Sequence, residues 1–283
     1  MTAEEYVKET SEIFVLSDSF IRIRELIDDE TSTIDDISDV ILIDPALSGA
    51  ILKLANSPFF NYPGKIDTIS KAVLVLGITE VYNLVIAYFT TEAFKKVNAE
   101  QQYLDNFWLK SVDCALLMKF LGSQLGIAHS ERLFILGLLH NLGELVVHQV
   151  TAEQLQYCES LDIKVLPWVK QQDVLGFTLG QCSAQLLKQW HLPYSIFSPI
   201  RDQDTENLVQ HNTETQILYV AKRIMYKNQV LKEQDVEYSD LLTQEQLALL
   251  GIDDDMLDSA LDYCDLERLG ILSILNPSRS MLY

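Results

Sequence analysis

Apolar residues recur along most of the chain at intervals of three and four, the spacing of one face of an α-helix, rather than at the intervals of two that a strand requires. Asp44-Pro45 opens one such segment. The carboxylate can cap free N–H groups, and proline suits a first helical turn. Leu47, Ala50, Ile51, Leu54 and Ala55 then form an apolar face, which ends at Asn56-Ser57-Pro58 because proline restrains its predecessor. Asn61-Tyr62-Pro63-Gly64 reads as a turn. Ser70 starts a short helix closed by Gly77, and Thr79 caps the next, with Val81, Leu84, Val85 and Tyr88 on its face.

Phe107 to Leu125 reads as a longer helix carrying Trp108, Cys114, Leu117, Met118 and Leu121. Ser130 precedes a segment with Leu133, Ile135, Leu136 and Leu139, and Gly143 is expected to separate it from a helix holding Leu145 and Val146. Thr151 and Gln154 have the spacing of a capping box. Gln181 to Trp190 continues the pattern until His191-Leu192-Pro193 stops it. Thr215 to Tyr226, Leu241 to Leu250 and an acidic helix from Asp253 carrying Leu257, Leu261 and Leu266 complete the series. No internal repeat is evident, and no stretch rich in Gly, Pro or Ser forces a split. The polar run Asn98-Ala99-Glu100-Gln101-Gln102 is the softest boundary. The expectation is one all-α domain over residues 1–283, with a helical lobe over about 1–100 packed on a second over about 101–283, the last part a C-terminal helical extension.

Composition narrows the function classes. The 283 residues are 48% apolar, enough for a substantial core. The formal charge of −20 repels a phosphate backbone and an anionic bilayer, so neither nucleic acid nor membrane is an expected partner. The first residues lack a signal-peptide pattern, and no run of 18 apolar residues occurs. Cys114, Cys158, Cys182 and Cys264 are far apart and read as buried thiols in a reducing compartment. A cytoplasmic location is the expectation.

Six stretches carry chemistry or signature character: Ile43-Asp44-Pro45-Ala46-Leu47-Ser48, Leu54-Ala55-Asn56-Ser57-Pro58-Phe59-Phe60, Ile69 to Gly77, Phe107-Trp108-Leu109-Lys110-Ser111, Phe134 to Gly143, and Gln189-Trp190-His191-Leu192-Pro193. In this order and spacing they resemble the HDOD family, the HD-related output domain of bacterial signalling proteins, over about residues 12–225. The resemblance implies a fold similar to the HD metal-dependent phosphohydrolases with an added N-terminal helical portion. It also implies a regulatory or scaffolding role, in which hydrolase activity is generally not expected.

An HD hydrolase holds its metal through several His and Asp side chains. Carried over one position at a time, the resemblance places its first histidine at Lys110 and its central pair at His140 and Asn141. The next histidine falls at Leu179, beside Thr178, and a later pair at Gln203 and Asp204. The last aspartate falls at Lys222. A lysine ammonium has no lone pair to offer, and an amide oxygen is a weak ligand. One imidazole and one carboxylate, Asp204, remain, against the three or four protein ligands of an ordinary transition-metal site. No catalytic residue, metal or cofactor is therefore assigned.

His140 reads as a hydrogen-bonded core or cleft histidine with Asn141 in the same polar network. Lys110 and Lys222 are candidates for a buried ion pair with Asp204. His129, His148, His191 and His211 read as surface or capping residues. Asn56, Ser57, Pro58, Trp108, Trp190 and Pro193 are signature positions whose residue types suit structure: Asn56 can satisfy backbone groups where its helix stops, and Trp190 can wedge two lobes. The leading expectation is a non-enzymatic regulatory domain binding a protein partner. The alternatives are a phosphohydrolase acting on a nucleotide or cyclic dinucleotide through His140 and Asp204, and a sensor that holds a small anion or metabolite on Lys110 and Lys222.

Overall fold

Side-chain caps set many of the helix boundaries. The computed structural model describes residues 1–29, 31–57, 60, 62–127, 130–160, 165–232, 234 and 236–275. Among them every α-helix and 3-10 turn is accounted for without a strand. The helices are α1 (Ala3–Glu9), α2 (Asp18–Asp28), α3 (Ile34–Ile43), α4 (Pro45–Ala55), α5 (Ile69–Leu76), α6 (Ile78–Phe94), α7 (Gln101–Gln124), α8 (Glu131–Leu139), α9 (Leu142–Glu159), α10 (Pro167–Leu175), α11 (Leu179–Gln189), α12 (Tyr194–Arg201), α13 (Thr213–Gln229), α14 (Gln244–Leu250) and α15 (Asp254–Leu275). The all-α class read from the apolar spacing is the observed one.

The chain divides into two units. One holds Met1–Glu12 with Val97–Leu266, and the other holds Ile13–Lys96 with Glu267–Tyr283. Helix α15 thus contributes residues to both.

In the unit of residues 13–96, α2 to α6 bury Ile23, Ile37, Ile41, Leu47 and Ile51 completely. Phe20 packs edge-on against Phe89, with ring centroids 5.6 Å apart. Asp44 caps α4 as expected, accepting from Ala46 N at 2.9 Å and Leu47 N at 3.0 Å. Thr68 rather than Ser70 caps α5, and Gly77 at φ +90° takes the place expected of Thr79 at the head of α6. The polar residue nearest a helical pattern is not always its cap: the cap must sit one residue before the first helical one, with extended backbone.

In the larger unit, α7 packs on α8 and α13, α9 on α10 and α11, and α12 on α8, α11 and α13. Helix α7 buries Phe107, Val112, Cys114, Ala115, Leu116 and Leu121. Some crossings leave no room for a side chain. A Cβ on Gly137 of α8 would lie 2.5 Å from Ala115 Cα, and one on Gly143 of α9 would lie 2.3 Å from Leu179 O. Gly143 is therefore a packing residue inside α9 and not a helix break. The break falls two residues earlier, at His140-Asn141. Thr151, expected to form a capping box with Gln154, leaves helical angles (φ −144°, ψ 64°) and kinks α9, and its Oγ1 meets the Tyr6 hydroxyl at 3.0 Å. The stretch Arg132–Glu159 is apolar and long enough to cross a membrane by composition alone, but 83% of its most apolar window is buried inside the protein. All four cysteines are buried. His129 and Pro58 lie outside the described residues.

Candidate functional site

His140 occupies the gap between α8 and α9 and is 1% exposed. Its Nδ1 lies 2.6 Å from Gly137 O. A carbonyl only accepts, so Nδ1 carries the ring proton. The His140 backbone is also held. Its carbonyl accepts from Gln203 Nε2 at 2.9 Å and from Ser183 Oγ at 3.1 Å, and Ser183 Oγ in turn accepts from Gly143 N at 2.7 Å. Gln203 thus reaches the His140 main chain rather than sharing a ligand with its ring.

Two ion pairs fill the surroundings. Lys110, from α7, places Nζ 2.6 Å from Glu144 Oε2 of α9. Asn141 Nδ2 donates to the same oxygen. The Glu144 side chain is 3% exposed and that of Lys110 19%. Lys222, from α13, donates to both carboxylate oxygens of Asp204, at 2.7 and 2.8 Å. Its Nζ also stands 4.9 Å from the centre of the Trp168 ring, which the Arg223 guanidinium covers at 4.6 Å. The Leu179 N–H donates to Gln171 Oε1 at 2.9 Å, and Gln171 Nε2 donates to Glu159 Oε1 at 3.0 Å.

The structure therefore brings together Lys110, His140, Asn141, Leu179 and Lys222 around one small cavity of about 30 Å³, with Glu159, Trp168 and Gln171 in its wall. That volume matches the scale of a water molecule rather than a nucleotide. Gln203 and Asp204 stand behind His140 and Lys222. Of the pairings expected for the lysines, Lys222 takes Asp204, whereas Lys110 takes Glu144. Neither Glu144 nor Glu159 was singled out in the sequence. A signal for Glu144 existed: it is the lone acid in the run Leu138-Leu139-His140-Asn141-Leu142-Gly143-Glu144-Leu145-Val146-Val147, where only a paired charge is tolerable.

Burial and charge set the protonation states. Burial lowers the His140 pKa to about 3, with the Lys222 and Lys110 charges adding to the effect, so the imidazole is neutral at ordinary pH. Burial opposes the ammonium form of Lys110, but the Glu144 and Glu159 charges outweigh it and leave the pKa raised. Burial holds the Glu159 carboxyl above the usual range, helped by Glu144 and opposed by Lys110. The Tyr103 phenol is pushed up by burial and by Glu144, and its ring stacks on His148 at 4.4 Å.

A divalent metal does not fit this donor set. Two candidate ligand positions are ammonium groups, and the carboxylates of Glu144 and Asp204 are each already bonded to one of them. Among the described residues, no three His, Cys, Asp or Glu side chains converge in a metal-ligating arrangement.

The other signature positions serve the scaffold around them. Asn56 Nδ2 donates to Leu52 O at 2.7 Å and Ile66 O at 2.6 Å, while its Oδ1 accepts from Ile66 N at 2.8 Å. Ser57 Oγ donates to Leu54 O at 2.6 Å. Trp108 is buried in α7, and Trp190 is buried where α11 ends. Pro193 precedes α12, after His191 has turned the chain at φ +58°.

The model of the HDOD domain family matches residues 13–206, more than half of the chain. The fold is similar to that of an HDOD domain protein of unknown function from Geobacter sulfurreducens, with a TM-score of 0.69 and 18% identity over 96% of this chain and 97% of that one. It is equally similar to a Shewanella amazonensis SB2B protein provisionally named a phosphohydrolase, with a TM-score of 0.69 and 22% identity over 95% and 97% of the two chains. At such identities the likeness speaks to fold alone. An uncharacterized protein of Treponema pallidum (strain Nichols) is 29% identical over 189 residues, 66% of this chain. The present chain spans only 36% of that protein's length.

Proposed function

This chain belongs to the HDOD family, and we propose that it is a non-catalytic regulatory domain of bacterial signal transduction that acts in the cytoplasm by binding a protein partner. One observation carries the reading. The place where a related hydrolase would hold its metal is filled by the chain's own charges: Lys110 on Glu144 at 2.6 Å and Lys222 on Asp204 at 2.7 Å. Two tethered cations neutralise two carboxylates, so neither a metal nor a phosphate ester gains what it would need from this cluster. Because both ammonium groups are engaged, the same pairs favour protein binding over an anion held between the lysines. Solvent-facing aliphatic side chains, among them Ile43 and Leu74, each 76% exposed, supply apolar surface for a partner.

The test is hydrolysis of bis(p-nitrophenyl) phosphate and of cyclic dinucleotides with Mg²⁺, Mn²⁺, Ni²⁺ or Zn²⁺. The wild-type protein is compared with His140→Ala and Asp204→Asn. The expected result is that all three proteins share the same background. Turnover by the wild type that both substitutions abolish would establish a hydrolase and sink the reading.

A further inference from the structure

The larger unit contains a second cavity that the cluster around His140 does not explain. It has a volume of about 650 Å³, bounded by the start of α1, the Leu175-Gly176-Phe177 turn, α11 and α12. That is within the range of small-molecule sites. Its apolar lining includes Leu175, Phe177, Ala184 and Phe197. The wall is braced: Tyr6 of α1 packs edge-on against Phe177 at 5.2 Å and is fastened to Thr151 at 3.0 Å.

The polar groups of the cavity are unbalanced toward donors. Glu5, its one carboxylate, already accepts from Thr2 N at 2.8 Å. Gln181 Oε1 accepts from Thr178 N at 3.0 Å, which leaves its amide N–H₂ to donate. Lys188 is exposed on α11 and has no ion-pair partner among the described residues. Arg201 is ion-paired through Nε and Nη2 with Asp202, at 2.8 and 2.7 Å, and also meets the Tyr194 hydroxyl, which fixes the guanidinium at the cavity edge. In a chain of net charge −20, a cavity where Lys188 and Arg201 stand against Glu5 and Asp202 is locally balanced, and Lys188 is the cation left without an ion pair among the described residues.

We propose that this cavity binds a small organic anion, its flat or branched apolar body against Phe177 and Phe197 and its carboxylate, sulfonate or phosphate on Lys188 and the Gln181 amide. The inference is independent of the protein-binding reading, which can fail without touching it.

The test is calorimetric titration of the full chain with naphthalene-2-sulfonate, phenyl phosphate and indole-3-carboxylate, with naphthalene-2-methanol as the neutral control. The perturbing variants are Lys188→Glu, an exposed charge reversal, and Gln185→Trp, which fills the groove from α11. Their circular dichroism spectra confirm that the fold is kept. At least one anion is expected to bind, about tenfold more weakly to Lys188→Glu and more weakly still to Gln185→Trp, with the alcohol about tenfold weaker than its sulfonate. Failure of all three anions to bind overturns the proposal. So does equal affinity for the alcohol, or binding that both variants leave unchanged.

Discussion

Replacing Lys222 with Met tests whether the charged cluster is a buried structural unit. Met keeps most of the aliphatic stem, so the perturbation is the loss of the ammonium. Asp204, with a side chain 4% exposed, loses both of its described hydrogen bonds, at 2.7 and 2.8 Å, and becomes a buried charge opposed only by the more distant Arg223 guanidinium. Breaking a buried pair from one side costs about 3–5 kcal/mol. For a unit of this size that lowers the melting temperature by on the order of 10 °C. The assay is urea unfolding followed by tryptophan fluorescence. Trp108, Trp168 and Trp190 all belong to the larger unit, so the signal reports that unit directly. The midpoint is expected to fall with the slope unchanged. The double variant Lys222→Met with Asp204→Asn removes the orphan charge and is expected to recover at least half of the loss. A single-variant cost below about 1 kcal/mol, the value of an exposed pair, refutes the reasoning. A double variant as unstable as the single one refutes it as well.

Gly143→Ala forces a Cβ to within 2.3 Å of Leu179 O, a backbone atom that cannot step aside, so a loss of about 3 kcal/mol or more in the urea midpoint is expected, and a neutral result would mean that α9 and α11 are not in this contact. Asn56→Ala cuts both hydrogen bonds to Ile66 and should cost about 1–3 kcal/mol, with faster amide exchange around residues 65–69; unchanged exchange there contradicts the tether. His140 titrates near 3 when folded and near 6.5 when unfolded, so between those values the unfolded chain binds the extra proton and stability falls with pH by about 1.4 kcal/mol per unit. Glu159, raised by burial, works in the opposite sense, because the folded state takes up its proton first. His140→Gln removes the first contribution only, and its urea midpoint is expected to decline less than that of the wild type from pH 6.5 to 4; parallel declines would show that His140 is not buried neutral.

How much of this was legible in the sequence differs by feature, for physical reasons. The helical class was written in the spacing of apolar residues, and Asp44 and Asn56 announced their roles because capping is local chemistry, decided within a few residues. The starts of α5 and α6 were harder: Thr68 and Ser70 both lie near the first, where backbone angles decide between them, and at the second the cap position is held by Gly77, which has no side chain to announce it. Helices α1, α2, α3, α10 and α12 were passed over. In α2 an apolar face of Phe20 and Ile23 is diluted by Asp18, Arg22, Arg24 and Glu25, and α12 carries Pro199 within it.

The cluster around His140 was half legible. Matching positions to a metal-site pattern asks only what each residue fails to do, so it found Lys110, Asn141 and Lys222 as lost ligands. It could not find Glu144, because Glu144 answers the charge of a residue 34 positions away on another helix. Yet the two facts require one another. A lysine can stand at a buried position only if a carboxylate meets it there, and a lone glutamate among leucines and valines can stand only if a cation does. A buried charge read from sequence as a lost ligand therefore carries a second prediction, that an unremarked residue of opposite sign lies beside it, and here Glu144 is that residue for Lys110.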